Sequence, residues 1–373
     1  MRYATKEGTF RYLKRFKDHG REFYRYDGER FVSSLGLGTF RKEPYREENY
    51  TLSYKEAVKT ALLGGINLID TAINYRYQMS EREIGEALSE LFDSGMLERD
   101  EVVLTSKAGF LPLEFPFPAN PYVWIEEQIV AKNLAAKEDI VADQHAITPA
   151  FLEWSLERSL QNLGVETIDI FFLHNPEFEL GYVSYETLKE RIKEAFRCFE
   201  RLCDEGKIRC YGIASWNGFL YEPSHIEYIS LADMVAIAEE AGGAHHRFRY
   251  VQTPYNLAKT DAFVYPNQKA KEGRFTTLMG AAESFGLRVM GSSSLLQMNL
   301  FKGRFHEKVG ALLGTDGLSD VLSALQFARS ANLVSALFGA AERAHVEHNL
   351  LLAKVPNPKP ENLKQLFGGK NAL

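Results

Sequence analysis

Four side chains able to move protons fall at or just past the ends of apolar runs. Asn67-Leu68-Ile69-Asp70-Thr71 closes on a carboxylate, and a phenol, Tyr75, follows five residues after Asp70. Val102-Val103-Leu104-Thr105-Ser106-Lys107 ends in an amine, and Ile168-Asp169-Ile170-Phe171-Phe172-Leu173-His174 ends in an imidazole. Each alone reads as a cap, a packing residue or a surface group, since the chain has 18 tyrosines to place. Together they have a chemistry. A free phenol has a pKa of about 10 and gives up its proton sluggishly near neutrality. An adjacent ammonium favours the phenolate and lowers that value. A carboxylate keeps the ammonium charged in a partly buried site. An imidazole can donate to an oxygen on which negative charge develops. The set would transfer a proton to or from a substrate oxygen.

Such residues act together only if the elements carrying them end at one place. From residue 33 the pattern alternates strand and helix eight times, which is the signature of a closed parallel sheet. The predicted strands are Ser34 to Thr39, Asn67 to Thr71, Val102 to Lys107, Ile168 to His174, Cys210 to Ser215, Tyr250 to Pro254, Arg288 to Ser293 and Val334 to Gly339. Helical stretches lie between them at Ser53 to Leu63, Ser80 to Phe92, Pro149 to Leu163, Tyr185 to Asp204 and Leu318 to Ala331, and near Ser230 to Ala241. Ser53 and Ser80, each with Glu three residues on, read as capping boxes, and Thr148-Pro149 as N-cap and first helical residue. Gly64, Gly164 and Gly206 suit left-handed C-caps. The expected fold is an α/β (β/α)8 TIM barrel, in which active sites lie at the C-terminal strand ends. Asp70, Tyr75, Lys107 and His174 all fall there.

The motifs around these residues resemble the aldo-keto reductase superfamily. Gly64-Gly65-Ile66-Asn67-Leu68-Ile69-Asp70-Thr71-Ala72-Ile73-Asn74-Tyr75, followed by Ser80-Glu81-Arg82-Glu83-Ile84-Gly85-Glu86-Ala87-Leu88, is similar to the family's first signature. Ser159-Leu160-Gln161-Asn162-Leu163-Gly164-Val165, leading to Phe172-Leu173-His174-Asn175-Pro176, is similar to the second. The similarity runs in order from about residue 33 to about residue 353.

That resemblance implies a catalytic set of Asp70, Tyr75, Lys107 and His174. It also implies an NAD(P)H-dependent oxidoreductase that interconverts an aldehyde or ketone, a sugar among the candidates, with the alcohol. Tyr75 would be the general acid/base. The hydride donor would lie across the strand ends, against Gly38, Thr39, Asp70, Ser215, Gln252, Ser292, Gly339, Arg343, His345 and Asn349. Gln252 would hydrogen-bond the carboxamide, Asn349 the adenine, and Arg343 or His345 a 2′-phosphate. NADP (NADPH) is favoured and NAD is left open. Some positions depart from the family. Ala214 stands where a serine is common, Ser292 where an aromatic ring often stacks on the nicotinamide, His345 where Arg is common and His348 where Glu is common. Trp216 or a loop aromatic would have to replace that stacking. Phe110, Trp124 and Trp216 are the expected substrate-pocket residues. A second reading is a regulatory, cofactor-sensing subunit resembling potassium-channel β-subunits, with little turnover. A third is a relative that keeps the fold and has lost the cofactor.

The rest of the chain bounds these readings. It has 373 residues, 45% apolar and 25% charged, with a net charge of −6 and no basic block, so nucleic acid is not an expected partner. No apolar run reaches the ~18 residues of a membrane span. The start lacks a signal-peptide pattern, and three cysteines lack ligand spacing. A cytoplasmic protein acting on a small-molecule carbonyl or alcohol is expected, with no metal, no membrane and a homo-oligomer left open. No His-x-His at the first strand marks a metal-dependent hydrolase.

A single domain over 1–373 is expected. Residues 1–32 form an extension and a hairpin about Asp27-Gly28, with a type I′ turn. The extension itself, residues 1–21, has no function legible in its sequence. Residues 108–147 form an insertion, rich in Phe and Pro, that serves as a lid, a pocket wall or a subunit contact. Residues 354–373 form a tail.

Overall fold

The computed structural model describes residues 2–41, 53–302 and 308–366. The tail beyond residue 366 lies outside the described residues. Eight parallel strands close a barrel. Two strands precede it as an antiparallel hairpin, β1 (Tyr24–Tyr26) and β2 (Phe31–Ser33). The barrel strands follow as β3 (Leu35–Gly38), β4 (Leu68–Asp70), β5 (Val103–Ala108), β6 (Ile168–His174), β7 (Ile208–Ala214) and β8 (Phe248–Pro254). After a two-stranded excursion, β9 (Gln268–Lys269) and β10 (Phe275–Thr276), β11 (Arg288–Ser292) and β12 (Ala336–Gly339) complete the ring. Every predicted barrel strand is present, shifted by at most two residues at either end.

The alternation that makes such strands legible is physical. Strands of an all-parallel sheet are covered on both faces, so they read as continuous apolar runs, as β6 does with every residue buried. One set of their side chains fills the barrel: Leu68, Val103, Ile170, Phe172, Cys210, Tyr250, Met290 and Leu337 form one cluster, closed from the hairpin by Val32. The other set packs outward against helices such as Met79–Asp93, Pro149–Leu163 and Tyr185–Asp204.

The two signature segments meet at a helix contact. Asn162 Nδ2 donates to Glu81 Oε2 at 3.0 Å, and Ser106 Oγ donates to Glu81 Oε1 at 2.6 Å. A Cβ on Gly85 would come within 2.2 Å of the Asn162 carbonyl oxygen, so these helices approach closely only because residue 85 has no side chain.

Several local expectations are corrected. Ser80 is helical, and its hydroxyl donates to the Thr39 carbonyl at 2.9 Å; the N-cap is Gln78. Tyr54 caps the helix Lys55–Leu63, its backbone N–H held by Glu83, although Ser53 Oγ accepts from Lys55 N at 3.1 Å. Thr148 and Pro149 stand where predicted, but the Thr148 hydroxyl donates to Leu134 O rather than capping. Gly164 and Gly206 are left-handed, whereas Gly64 is not; the positive φ falls on Gly65. The hairpin exists, but its turn is closed by a side chain. Asp27 Oδ1 accepts the N–H groups of Glu29 and Arg30, both at 2.8 Å, in place of a two-residue type I′ turn.

The extension has a structural place that its sequence hid. The helix Lys6–Leu13 docks beneath the barrel, where Arg11 pairs with Glu98, Asp100 and Glu101. The Ala4 N–H reaches Asp169 Oδ1 at 2.8 Å, and Tyr12 OH donates to Leu62 O at 2.5 Å. Among the described residues no helix is long and apolar enough to cross a membrane.

Candidate active site

Asp70 is the last residue of β4 and Lys107 lies near the end of β5, on adjacent strands paired in register. Lys107 is fully buried, and its Nζ donates to Asp70 Oδ2 at 2.7 Å, to the Thr71 carbonyl at 2.8 Å and to the Tyr75 hydroxyl at 3.4 Å. An ammonium in such a place persists only with a counter-ion and filled hydrogen bonds. Burial pulls the Lys107 pKa down, but Asp70 and Tyr75 outweigh burial, and the group is held above its usual value. The other Asp70 oxygen accepts from Thr105 Oγ1 at 2.7 Å and from Gln252 Nε2 at 2.8 Å.

Tyr75 is half-buried between Phe40 and His174, with ring centroids 5.1 Å and 5.9 Å away. Burial pushes its phenol above the usual value, and Lys107 pulls against that without prevailing. The sequence-based expectation of a lowered phenol is therefore reversed here. The cause is distance and burial: at 3.4 Å the ammonium is shared with Asp70 and Thr71. The chain leaves Tyr75 through three consecutive non-glycine residues of positive φ: Arg76 at 48°, Tyr77 at 55° and Gln78 at 69°. Each costs roughly 1–2 kcal/mol. The turn is braced by Arg76 Nη1 on Glu83 Oε2 at 2.5 Å and by Gln78 Nε2 on the Pro112 carbonyl at 2.7 Å.

His174 ends β6, buried, with Phe110 edge-on at 5.2 Å. Burial first, then Lys107 and His145, hold its imidazole well below the usual range, so the ring is neutral. Its Nδ1 is buried with no partner among the described residues. A buried lone pair without a donor is tolerated better than a buried N–H without an acceptor, which places the single proton on Nε2.

The remaining expected residues divide. Thr39 is buried, and its hydroxyl donates to Thr71 Oγ1 at 2.9 Å. Gln252 spends its amide on Asp70, and Ser215 donates to Glu177 Oε1 at 2.8 Å. Gly38, Ser292 and Gly339 end β3, β11 and β12, adjacent in the barrel, and none is fully buried. Small residues there leave a shelf over which an extended ligand can lie. Arg343 and His345 are exposed, with Arg343 Nε on Glu347 Oε1 at 2.6 Å; Asn349 is buried and His348 faces the Ser319 hydroxyl at 3.3 Å. Trp216 is 43% exposed beside Ser215. Phe110 stands against His174, but Trp124 is not brought to the tetrad. It packs in the insertion's own cluster with Leu111, Ile125, Ile129, Ala146 and Phe151.

Some site residues were not foreseen. Thr105 was in principle legible, two residues before Lys107 and so on the same strand face. Glu177 and His145 were not, because both arrive from irregular segments. The Glu177 Oε1 also accepts the Trp216 N–H at 2.6 Å, and burial raises this carboxyl. No cluster of side chains able to hold a metal occurs among the described residues.

Residues 34–364 match the model of the aldo/keto reductase family. Among curated proteins the chain is similar to an NADH-specific methylglyoxal reductase of Escherichia coli, 28% identical over 54% of this chain and 53% of that protein. It is also similar to a glyoxal reductase of Bacillus subtilis, 28% identical over 49% of this chain and 45% of that protein. The chain thus spans about half the length of the curated relatives it matches. In structure it resembles an aldo/keto reductase from Klebsiella pneumoniae crystallised with NADP and acetate, with a TM-score of 0.59 and 21% identity over 95% of this chain and 99% of that one. At that identity the likeness speaks to the fold.

Proposed function

Since the chain belongs to the aldo/keto reductase family, we propose that it interconverts a small aldehyde or ketone with the corresponding alcohol, with Tyr75 as general acid/base. The observation that carries this reading is the buried Lys107 ammonium, which touches both the Asp70 carboxylate and the Tyr75 hydroxyl. A reduced nicotinamide, when bound, supplies the hydride. The residues present fit such a group: the small residues Gly38, Ser292 and Gly339 end three adjacent strands and none is fully buried.

The chain's own side chains do the rest. His174, neutral with its proton on Nε2, donates to the substrate oxygen and fixes its position. Tyr75 gives that oxygen a proton as negative charge develops on it. Lys107 stabilises the phenolate left behind, and Asp70 keeps Lys107 charged throughout. Phe110 and Trp216 supply apolar walls that exclude water. NADPH is the favoured donor, with Arg343 and His345 as the cations for a 2′-phosphate, and NADH is its competitor. Two relatives are named for glyoxal and methylglyoxal, so 2-oxoaldehydes are the first substrates to assay.

The test pairs turnover with binding. Tryptophan fluorescence of the cofactor-free protein is followed during titration with NADPH and NADH, and Tyr75→Phe is then assayed on aldehydes. Tight binding with turnover abolished in Tyr75→Phe supports the reading. Normal turnover in Tyr75→Phe overturns the assigned acid. Tight binding without turnover in the wild type would transfer the case to a cofactor-sensing role.

A further inference from the structure

Behind His174 lie two buried ionisable side chains, His145 and Glu179, and two partly exposed ones, Arg191 and Asp139, that the proposed chemistry does not use. His145, on the returning limb of the insertion, is fully inaccessible to solvent. Its Nε2 is 2.8 Å from the His174 carbonyl oxygen, and its Nδ1 is 3.0 Å from Glu179 Oε1. Glu179, in the turn Pro176–Gly181 after β6, receives Arg191 Nη1 on its other oxygen at 2.9 Å. Arg191 Nη2 in turn reaches Asp139 Oδ1 at 3.3 Å.

The hydrogen bonds around His145 bear on how many of its ring nitrogens donate. A neutral imidazole carries one N–H, yet both ring nitrogens here face acceptors, a carbonyl and a carboxylate. The bonds are complete when both nitrogens donate and Glu179 is ionised. A proton on Glu179 would serve one of them equally, but Arg191 on the far oxygen favours the anion. The titratable and charged groups facing His145 and His174 from surrounding elements are thus Glu179, Arg191 and Asp139 on one side and Lys107 and Tyr75 on the other.

The fit around this contact is close. A Cβ on Gly109 would stand 2.6 Å from the His174 carbonyl oxygen and 2.7 Å from His145 Nε2. Phe110 meets both imidazoles edge-on, 5.0 Å from His145 and 5.2 Å from His174, and Phe178 packs on the His145 ring at 5.6 Å. Backbone bridges join Phe110 and Val141 to His145, so both limbs of the insertion converge here.

We infer that His145 is a positioning residue for His174: donating from both nitrogens, it ties the end of β6 to Glu179 and sets the height of the His174 ring. Besides placing Phe110 against His174, the insertion carries His145 to this contact. This rests on the reading of His174 as the group that orients the substrate oxygen. A cation behind His174 also opposes a second proton on that ring, which keeps the ring a single-proton donor.

The experiment uses the full-length protein with His145→Phe, which removes both donors, and His145→Gln, which keeps one. Thermal melts and NADPH titration establish that each variant folds and binds cofactor. The expected result is a fall in kcat of tenfold or more in His145→Phe, a smaller fall in His145→Gln, and cofactor affinity within twofold of the wild type. The pH profile of kcat should gain an acid limb nearer neutrality as His174 becomes easier to protonate, which a merely structural contact would not produce.

In parallel, imidazole NMR of the wild type, with His145 assigned by its loss in the variants, should show two ring N–H protons on His145. The His174 signals should move in His145→Gln. Wild-type kcat and pH profile in both variants would overturn the inference, as would a single ring proton on His145. If the wild type reduces no carbonyl, the proposed function fails on that result, and the NMR still decides whether His145 sets His174.

Discussion

Gln252 Nε2 lies 2.8 Å from Asp70 Oδ1, so the amide expected to read a cofactor carboxamide is spent on the carboxylate that holds Lys107. The two residues come from β8 and β4, on opposite arcs of the barrel. Gln252→Leu deprives a buried carboxylate of one donor, which costs about 1–3 kcal/mol. The expected outcome is a lower denaturant midpoint at unchanged slope. Turnover should fall as well, because Asp70 is then less firmly placed under Lys107.

Lys107→Met removes the one charge paired with the Asp70 carboxylate among the described residues and leaves that carboxylate buried, at a cost of about 3–5 kcal/mol. The sign of the pH dependence follows from the raised Lys107 pKa. Its stabilisation is complete below the unfolded value of about 10.4 and is lost as pH rises through the folded value. Chemical denaturation between pH 8 and pH 11 should therefore show wild-type stability falling at the alkaline end. Lys107→Met should be flatter there.

His174 carries the opposite dependence. Its folded pKa is depressed, so below about 6.5 the unfolded chain binds a proton that the folded chain refuses. Wild-type stability should fall as pH drops from 7 to 5. His174→Asn should lose about 2 kcal/mol less over the whole window, its slope differing from the wild type by about 1.4 kcal/mol per pH unit only well below 6.5, where the unfolded histidine holds a full proton. Equal slopes in the two proteins would mean that the folded imidazole takes up its proton as readily as the unfolded one.

Arg343 is exposed and occupied by Glu347 at 2.6 Å, so a 2′-phosphate must displace that partner. Exposed ion pairs are worth little, about 0–1 kcal/mol, and displacement is easy. Arg343→Ala should weaken NADPH about three- to tenfold and leave NADH unchanged, whereas Glu347→Ala should tighten NADPH. Equal effects on both dinucleotides would remove Arg343 from the phosphate site.

The left-handed turn after Tyr75 depends on the buried Arg76–Glu83 pair. Glu83→Gln takes the carboxylate charge out of this buried ion pair and should cost about 3 kcal/mol. Misplacing the turn by an ångström should also lower turnover about a hundredfold without changing cofactor affinity. Melting curves and steady-state kinetics on the same preparation separate the two effects.

The sequence by itself determined the barrel and the four residues at its mouth. Periodicity marks every barrel strand, because each must be apolar on both faces. The C-terminal strand ends of such a barrel are where reactive side chains gather, which made Asp70, Lys107 and His174 legible. Thr105 was within reach by the same two-residue period.

The tertiary structure alone decided the rest. Whether Lys107 lowers Tyr75 depends on how one ammonium is shared among three oxygens and on how much water is excluded, and no spacing encodes either. Gln252 found its acceptor across the barrel on Asp70, and Ser215 found one beyond the neighbouring strand end on Glu177, at sequence separations that leave no local trace. His145 and Trp124 sit on an irregular insertion without periodicity, so only folding revealed that one reaches the back of His174 and the other turns into a small core of its own.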